Sequence, residues 1–167
     1  MKDLSSICLS CGLCCDGTLI GFVHLDANEV PEVRKHMDIE EEQGHGFFLH
    51  PCKRYCDGCT IYADRPKQCG LFKCGLLKSV EQEELQFNLA LDAIAELKEL
   101  KLSIEANLSS LRFELKSHSF YFRIVELKKR LLKLEQATDL SSEHQLLVQS
   151  LQEFDTLLLE KFDLTID

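Results

Sequence analysis

The pattern of apolar residues changes character once along this chain. From Leu76 to Asp167 there is no glycine, proline or cysteine, and apolar side chains recur at helical spacing. Ala90, Ala93, Ile94, Leu97, Leu100, Ile104, Leu108, Leu111 and Leu115 share one face at a period of about 3.6 residues. Phe120, Ile124, Leu127, Leu131 and Leu134 make a second stripe, and Leu147, Leu151, Phe154, Leu158 and Phe162 a third. Ser117-His118-Ser119 and Ala137-Thr138-Asp139 interrupt the pattern and predict turns between antiparallel helices. Ser79-Val80-Glu81-Gln82 has the form of a capping box and predicts the start of the helical part. Apolar helix faces ordinarily pack within their own domain, so the stripes predict an internal core. Self-association or docking of a protein partner through the C-terminal helices is the other use they allow.

Before Gly75 no long period exists. Residues 18–23 predict a short strand. Asp26 with Glu29 predicts a capped short helix toward His36, with Pro31 in its first turn if Asn28 is the cap. The glutamate run and glycines of residues 40–46 predict a solvated loop, and residues 47–49 a return to the core. Asp57-Gly58 is a turn signal with residues 59–62 extended beyond it, and Pro66 makes Arg65 extended. The expected fold is mainly α. It pairs a small irregular cysteine-cluster module with short strands, residues 1–77, with a C-terminal antiparallel helical bundle or hairpin, residues 78–167.

Composition adds limits. At 167 residues and 45% hydrophobic content the chain can bury a core, and general disorder is excluded. A formal net charge of −9 argues against non-specific binding to nucleic acid or to a membrane surface. The first residues lack the apolar run of a signal peptide, and no stretch is long and apolar enough to span a bilayer. The expected compartment is therefore the reducing cytoplasm, where thiols bind metal more readily than they pair. Nine cysteines, an odd number, also suit a disulfide scaffold poorly.

All nine lie before Gly75, in two clusters: Cys8, Cys11, Cys14 and Cys15, then Cys52, Cys56, Cys59, Cys69 and Cys74. Cys8-x-x-Cys11-Gly12 has the form of a metal knuckle, in which a tight turn brings two sulfurs onto one ion and glycine supplies a positive φ. Cys14 and Cys15 are adjacent, so their side chains diverge; they serve two different ions, or one binds while the other packs.

The run Cys8-x2-Cys11-x2-Cys14-Cys15, then Cys52, then Cys59-Thr60-Ile61-Tyr62-Ala63-Asp64-Arg65-Pro66-Lys67-Gln68-Cys69, resembles the CxxCxxCC family of zinc- or iron-chelating proteins. The match leaves out the helical tail. The resemblance implies Cys8, Cys11, Cys14, Cys15, Cys52, Cys59 and Cys69 as metal ligands, with Cys74 an eighth; Cys56 stands outside the pattern. A related cysteine cluster occurs in flagellin lysine N-methylase, which implies a protein-modifying enzyme as an alternative. Eight thiolates suit two four-thiolate zinc sites, or one four-cysteine iron–sulfur cluster and another site. Two zinc ions on eight separate thiolates leave a net charge of about −4, which calls for N–H donors or for Lys53, Arg54, Arg65 and Lys67 nearby.

The remaining motif residues have structural readings: Tyr62 packs, Arg65 ties a turn to an acidic group, and Pro66 sets the approach to Cys69. Of His24, His45 and His50, only His50 lies at knuckle distance from a cysteine, as a replacement ligand. Cys11-x-x-Cys14 and Cys56-x-x-Cys59 are formally redox pairs, but neither sits at a strand-to-helix junction. No phosphate-binding glycine loop and no catalytic constellation is present. The expected function is a metal-binding module, structural or interacting. An iron–sulfur or metal-dependent modifying enzyme and a redox or metal sensor are the alternatives.

Overall fold

The computed structural model describes residues 5–42, 45–111, 113–137 and 140–167. They fall into two compact units, Met1–Lys73 with His118–Phe122, and Cys74–Ser117 with Arg123–Asp167.

The first unit begins with helix α1, Ser5–Cys11. Strand β1, Phe22–Leu25, pairs antiparallel with β3, His45–Leu49, which also pairs antiparallel with β2, Glu40–Glu42, so the order is β1-β3-β2. Val23 stands opposite Phe48. Alternation sends Val23, Leu25 and Phe48 inward, where they meet Val33 and Met37; Cys52, Ile61 and Cys69 pack on the edge of that cluster. The core of this unit therefore borders the cysteines. Helix α2, Val30–Val33, has Pro31 in its first turn, with Glu29 rather than Asn28 as cap. The Asp26 N–H donates to Glu29 Oε2 at 3.0 Å, one arm of the expected capping box.

Two local expectations are corrected. The strand starts at Phe22, not at residue 18, because the N–H groups of Thr18 and Leu19 both donate to the Leu13 carbonyl and hold a turn there. The glutamate run is not a loop: Glu40, Glu41 and Glu42 pair with Phe47, Gly46 and His45. All three glutamates are exposed on an outer strand, where charge is tolerated and discourages further pairing. Gln43 and Gly44, part of the same expectation, lie outside the described residues.

Beyond the sheet, Tyr62–Asp64 forms a 3₁₀ turn, so the extended segment after Gly58 stops short of Tyr62. Arg65 is extended, φ −64 and ψ 149, as its proline neighbour requires. Helix α3, Lys67–Leu71, follows. Tyr121 N–H donates to the Gly17 carbonyl at 2.7 Å, which ties residues 118–122 into this unit.

The second unit contains α4, Gly75–Glu81, and α5, Phe87–Ser110. It also holds most of α6, Phe120–Ala137, and α7, Ser142–Leu157, which runs on into the π-helical turn Leu158–Phe162. Ser79 does not open a helix. Leu76 and Leu77 are buried and anchor α4 ahead of it, so Ser79 falls in the last turn, where its carbonyl accepts from Glu84 and Leu85. The three expected stripes are largely buried. Ala90, Ala93, Ile94, Leu97, Ile104 and Leu108 of α5 are buried, as are Phe120, Ile124, Leu127 and Leu131, and all five residues of the third stripe. Leu100, Leu111 and Leu134 are half-buried, and Leu115 lies past the end of α5. α6 ends at Ala137 and the Ser141 hydroxyl caps α7, accepting from His144 N–H. Thr138 and Asp139 of the expected turn lie outside the described residues. Lys128 Nζ donates to Asp155 Oδ1 at 2.9 Å and to the Ile166 carbonyl at 2.5 Å, binding α6 to α7 and to the chain end.

Phe154 is fully buried at the centre of the third stripe. Phe154→Ala is expected to cost about 3–5 kcal/mol, read as a lower denaturant midpoint of the far-UV helical signal. Among the described residues no helix is long and apolar enough to cross a membrane.

Candidate metal centre

Four cysteines of the first unit arrive on four different segments. Cys15 lies in the turn after α1, Cys52 follows His50-Pro51, Cys59 follows the Asp57-Gly58 turn, and Cys69 is in α3. The Cys52 N–H donates to the Cys15 carbonyl at 2.7 Å, so two of these segments are joined by their backbones. Each side chain is half-buried.

Three of the four thiols are shifted in part by the charges of the others. Burial, then the charges of Cys59, Cys52 and Cys69, pushes the Cys15 thiol up to about 12. Burial, then Cys52 and Cys59, pushes Cys69 up to about 12 as well. Cys52 is raised chiefly by burial, with Cys59 adding to it. Charge effects of this kind act at short range, about 4–6 Å. Without a cation the thiolates oppose one another in a poorly solvated place; a cation reverses both penalties.

Two arginines offset that charge. The Arg54 N–H lies 3.4 Å from Cys52 Sγ, and the N–H groups of Arg54 and Tyr55 both lower its thiol. These come from the turn closed by Tyr55 N–H on the Cys52 carbonyl at 3.0 Å, the knuckle arrangement. The Arg54 side chain lowers Cys52 too, and its Nη2 donates to His36 Nδ1 at 2.8 Å. Arg65 lowers Cys69. Its guanidinium carbon stands 3.7 Å over the Tyr62 ring, so Arg65 stacks on an aromatic face, and among the described residues no acid forms an ion pair with it. Pro66 is buried and caps α3, three residues before Cys69. Lys53 and Lys67 are spent elsewhere, on Asp38 and Asp26.

The other thiols are placed differently. Cys8 is exposed on α1, Cys11 is buried at its end, and Cys14 is half-buried. Gly12 adopts φ +68 directly after Cys11, and a Cβ there would fall 2.6 Å from atoms of the Tyr55 ring. Cys56 is exposed between Tyr55 and Asp57, where Asp57 at φ 53 and Gly58 at φ 146 make the tight turn that Asp-Gly predicts. Cys74 belongs to the second unit as cap of α4, where burial raises its thiol and the N–H groups of Leu77 and Leu76 lower it.

Three features of this region have no signal in the sequence. Met37 Sδ lies 3.9 Å from Cys52 Sγ, which gives the centre a soft, water-excluding wall. The His50 ring hydrogen-bonds the backbone of Cys15, and burial holds its pKa below the usual value, keeping it neutral. The second nitrogen of that ring, Nδ1, and the fully buried Thr18 Oγ1 have no hydrogen-bond partner among the described residues. His50 thus reaches the centre through the Cys15 peptide, while His24 and His45 are exposed on the sheet.

Among the described residues no group of three or more His, Cys, Asp or Glu is arranged so as to hold a metal ion. The donor chemistry fits one nonetheless. Four soft thiols suit zinc or iron, and four thiolates on a divalent ion carry a charge of about −2, which Arg54, Arg65 and the Cys52 N–H donors address.

Half-buried cysteines from separate segments are the donor chemistry of a thiol-based metal-chelating domain. The chain belongs to the CxxCxxCC family, described as a "putative zinc- or iron-chelating domain", whose model matches residues 7–91. No curated protein and no solved structure matches the chain.

Proposed function

We propose that Cys15, Cys52, Cys59 and Cys69 hold zinc or iron through four thiolates, and that the bound metal makes the first unit a rigid structural or interaction module. The observation that supports this reading is the mutual charge effect of four half-buried thiols from four segments. Cys52 and Cys69 pack on the apolar cluster of Val23, Leu25, Val33, Met37 and Phe48, so a metal bound through them would tie the core of this unit to the segments of Cys15 and Cys59. A partner or a second copy has the exposed Leu102, Leu132, Leu146 and Leu159 of the C-terminal helices available to it.

The test is the metal content and colour of protein purified without oxygen. Colourless protein carrying zinc on thiolates supports the reading in its zinc form. A brown preparation with iron and acid-labile sulfide assigns the same ligands to an iron–sulfur cluster and makes a redox or enzymatic role the one to pursue. Protein that stays metal-free after reduction and exposure to either metal overturns it.

A further inference from the structure

We infer that the outer face of the three-stranded sheet binds an arginine-bearing segment of a protein partner. The cysteines border the inner face, where Cys52 and Cys69 pack on the cluster of Val23, Leu25 and Phe48. The inference therefore goes beyond the metal-binding reading and holds whichever thiols take an ion.

Strand register places the face. Val23, Leu25 and Phe48 are buried, so alternation turns Phe22 and His24 of β1, and His45, Phe47 and Leu49 of β3, outward. Phe22 stands opposite Leu49, and His24, Phe47 and Glu40 form one row across all three strands. Glu42 stands opposite His45. Phe22 meets His24 edge-on with 4.9 Å between ring centroids, and Phe47 with 6.2 Å. Phe122, which belongs to this unit, lies nearly parallel to Phe22 at 6.3 Å, and Tyr121 meets Phe122 edge-on at 5.3 Å. Gly21 makes room for that approach, since a Cβ there would fall 2.7 Å from the Phe122 ring. The array is not buried by these contacts: Phe22 is 39% exposed and Leu49 46%.

Charge selects the occupant. An aromatic ring is electron-rich on its face, and Glu40 is the direct cross-strand neighbour of Phe47, with Cβ atoms about 5 Å apart in such a pair. A guanidinium can use both at once, lying flat on a ring while its N–H fork reaches the carboxylate. Among the described residues Glu40 and Glu42 have no ion pair, and no basic side chain lies over Phe22, Phe47 or Phe122. Arg34 pairs instead with Glu41, which alternation turns to the other face of β2, and Arg65 lies over Tyr62. A cation for this face is left to a partner. The same carboxylates repel the phosphates of a nucleic acid that could otherwise stack its bases here, and they repel a second copy of the face.

The experiment uses the full chain, reduced and purified without oxygen, and a fluorescein-labelled peptide of alternating arginine and serine. Fluorescence anisotropy reads its binding, and far-UV circular dichroism confirms the fold of each variant. The arginine peptide is expected to bind. A peptide with citrulline at each arginine position, similar in shape but uncharged, is expected not to. Phe22→Leu and Glu40→Gln are each expected to weaken the arginine peptide about two- to fivefold, the range of one exposed cation–π or carboxylate contact. Glu96→Gln, at an exposed carboxylate of α5, is expected to leave binding unchanged. Absence of binding by the arginine peptide overturns the inference, as does equal binding of the citrulline peptide or full affinity in both folded sheet variants. An equal loss in Glu96→Gln overturns it by showing general attraction to an acidic chain. A dimer in sedimentation that Phe22→Leu disperses overturns it by assigning the face to a second copy.

Discussion

Cys69→Ser is expected to abolish tight metal binding at the Cys15 cluster while leaving the helical unit folded. A serine hydroxyl is a hard, neutral donor where three soft thiolates remain, so the ion loses both a bond and the charge that held it. Altering a residue that merely orients a ligand costs about 10–100-fold in affinity, and removing a ligand is expected to exceed that range. A ligand that binds only the folded state at a hundred times its Kd stabilises by about 2.7 kcal/mol, so this increment disappears from the first unit in the variant. The effect extends beyond the sulfur, because Cys69 packs on Val23, Leu25, Val33, Met37 and Phe48. The helical signal is expected to survive, since α5 and α7 carry their own buried stripes. Metal content by mass spectrometry and thermal unfolding with and without metal are the measurements. Full metal retention would show that Cys69 is no ligand, and collapse of far-UV helicity would show that the second unit does not hold without the first.

Metal loading is expected to release protons and to strengthen steeply with pH. Burial and neighbouring thiols hold Cys15 and Cys69 at about 12 in the metal-free fold, so at neutral pH both are protonated and a binding cation must displace those protons. Calorimetric titration of metal in two buffers of different ionisation enthalpy should show release of at least these two protons, and affinity should fall as pH is lowered. The metal-free fold has the opposite dependence. A thiol raised from about 9 to about 12 keeps its proton in the folded state after the unfolded chain has lost it. Its contribution is therefore complete below about pH 9 and is lost as pH rises from there through 12. The thermal midpoint of metal-free protein should drop across that window, and bound metal should remove the drop. Binding without proton release would contradict the buried, protonated cluster.

Much of the helical unit was legible because helix burial is a local property. A residue's position on the 3.6-residue spiral decides whether it faces the core, so Leu97, Ile104, Ile124, Leu127, Leu147 and Phe154 announce themselves. Ser79 misleads for a reason of the same kind: a capping pattern carries no information about whether an earlier helix, anchored here by Leu76 and Leu77, already occupies it. Glu40, Glu41 and Glu42 mislead because strand pairing satisfies the backbone whatever the side chains are, provided that they sit on an exposed edge.

For the cysteines the division is sharper. Spacing alone announced thiols gathered for a metal, through the knuckle at Cys8 and Cys11 and the run from Cys59 to Cys69. Which thiols meet is a matter of long-range contacts between segments that share no period. Only the tertiary structure joins the Cys52 N–H to the Cys15 carbonyl, aims Arg65 at Tyr62 and Cys69, and sets the Tyr55 ring against Gly12. A cysteine's ligand role depends on neighbours brought by the fold, whereas a leucine's burial in a helix follows from its own register; that is why the sequence determined the helical core and the metal-binding character, and the tertiary structure alone decided which chain segments bring their thiols near one another.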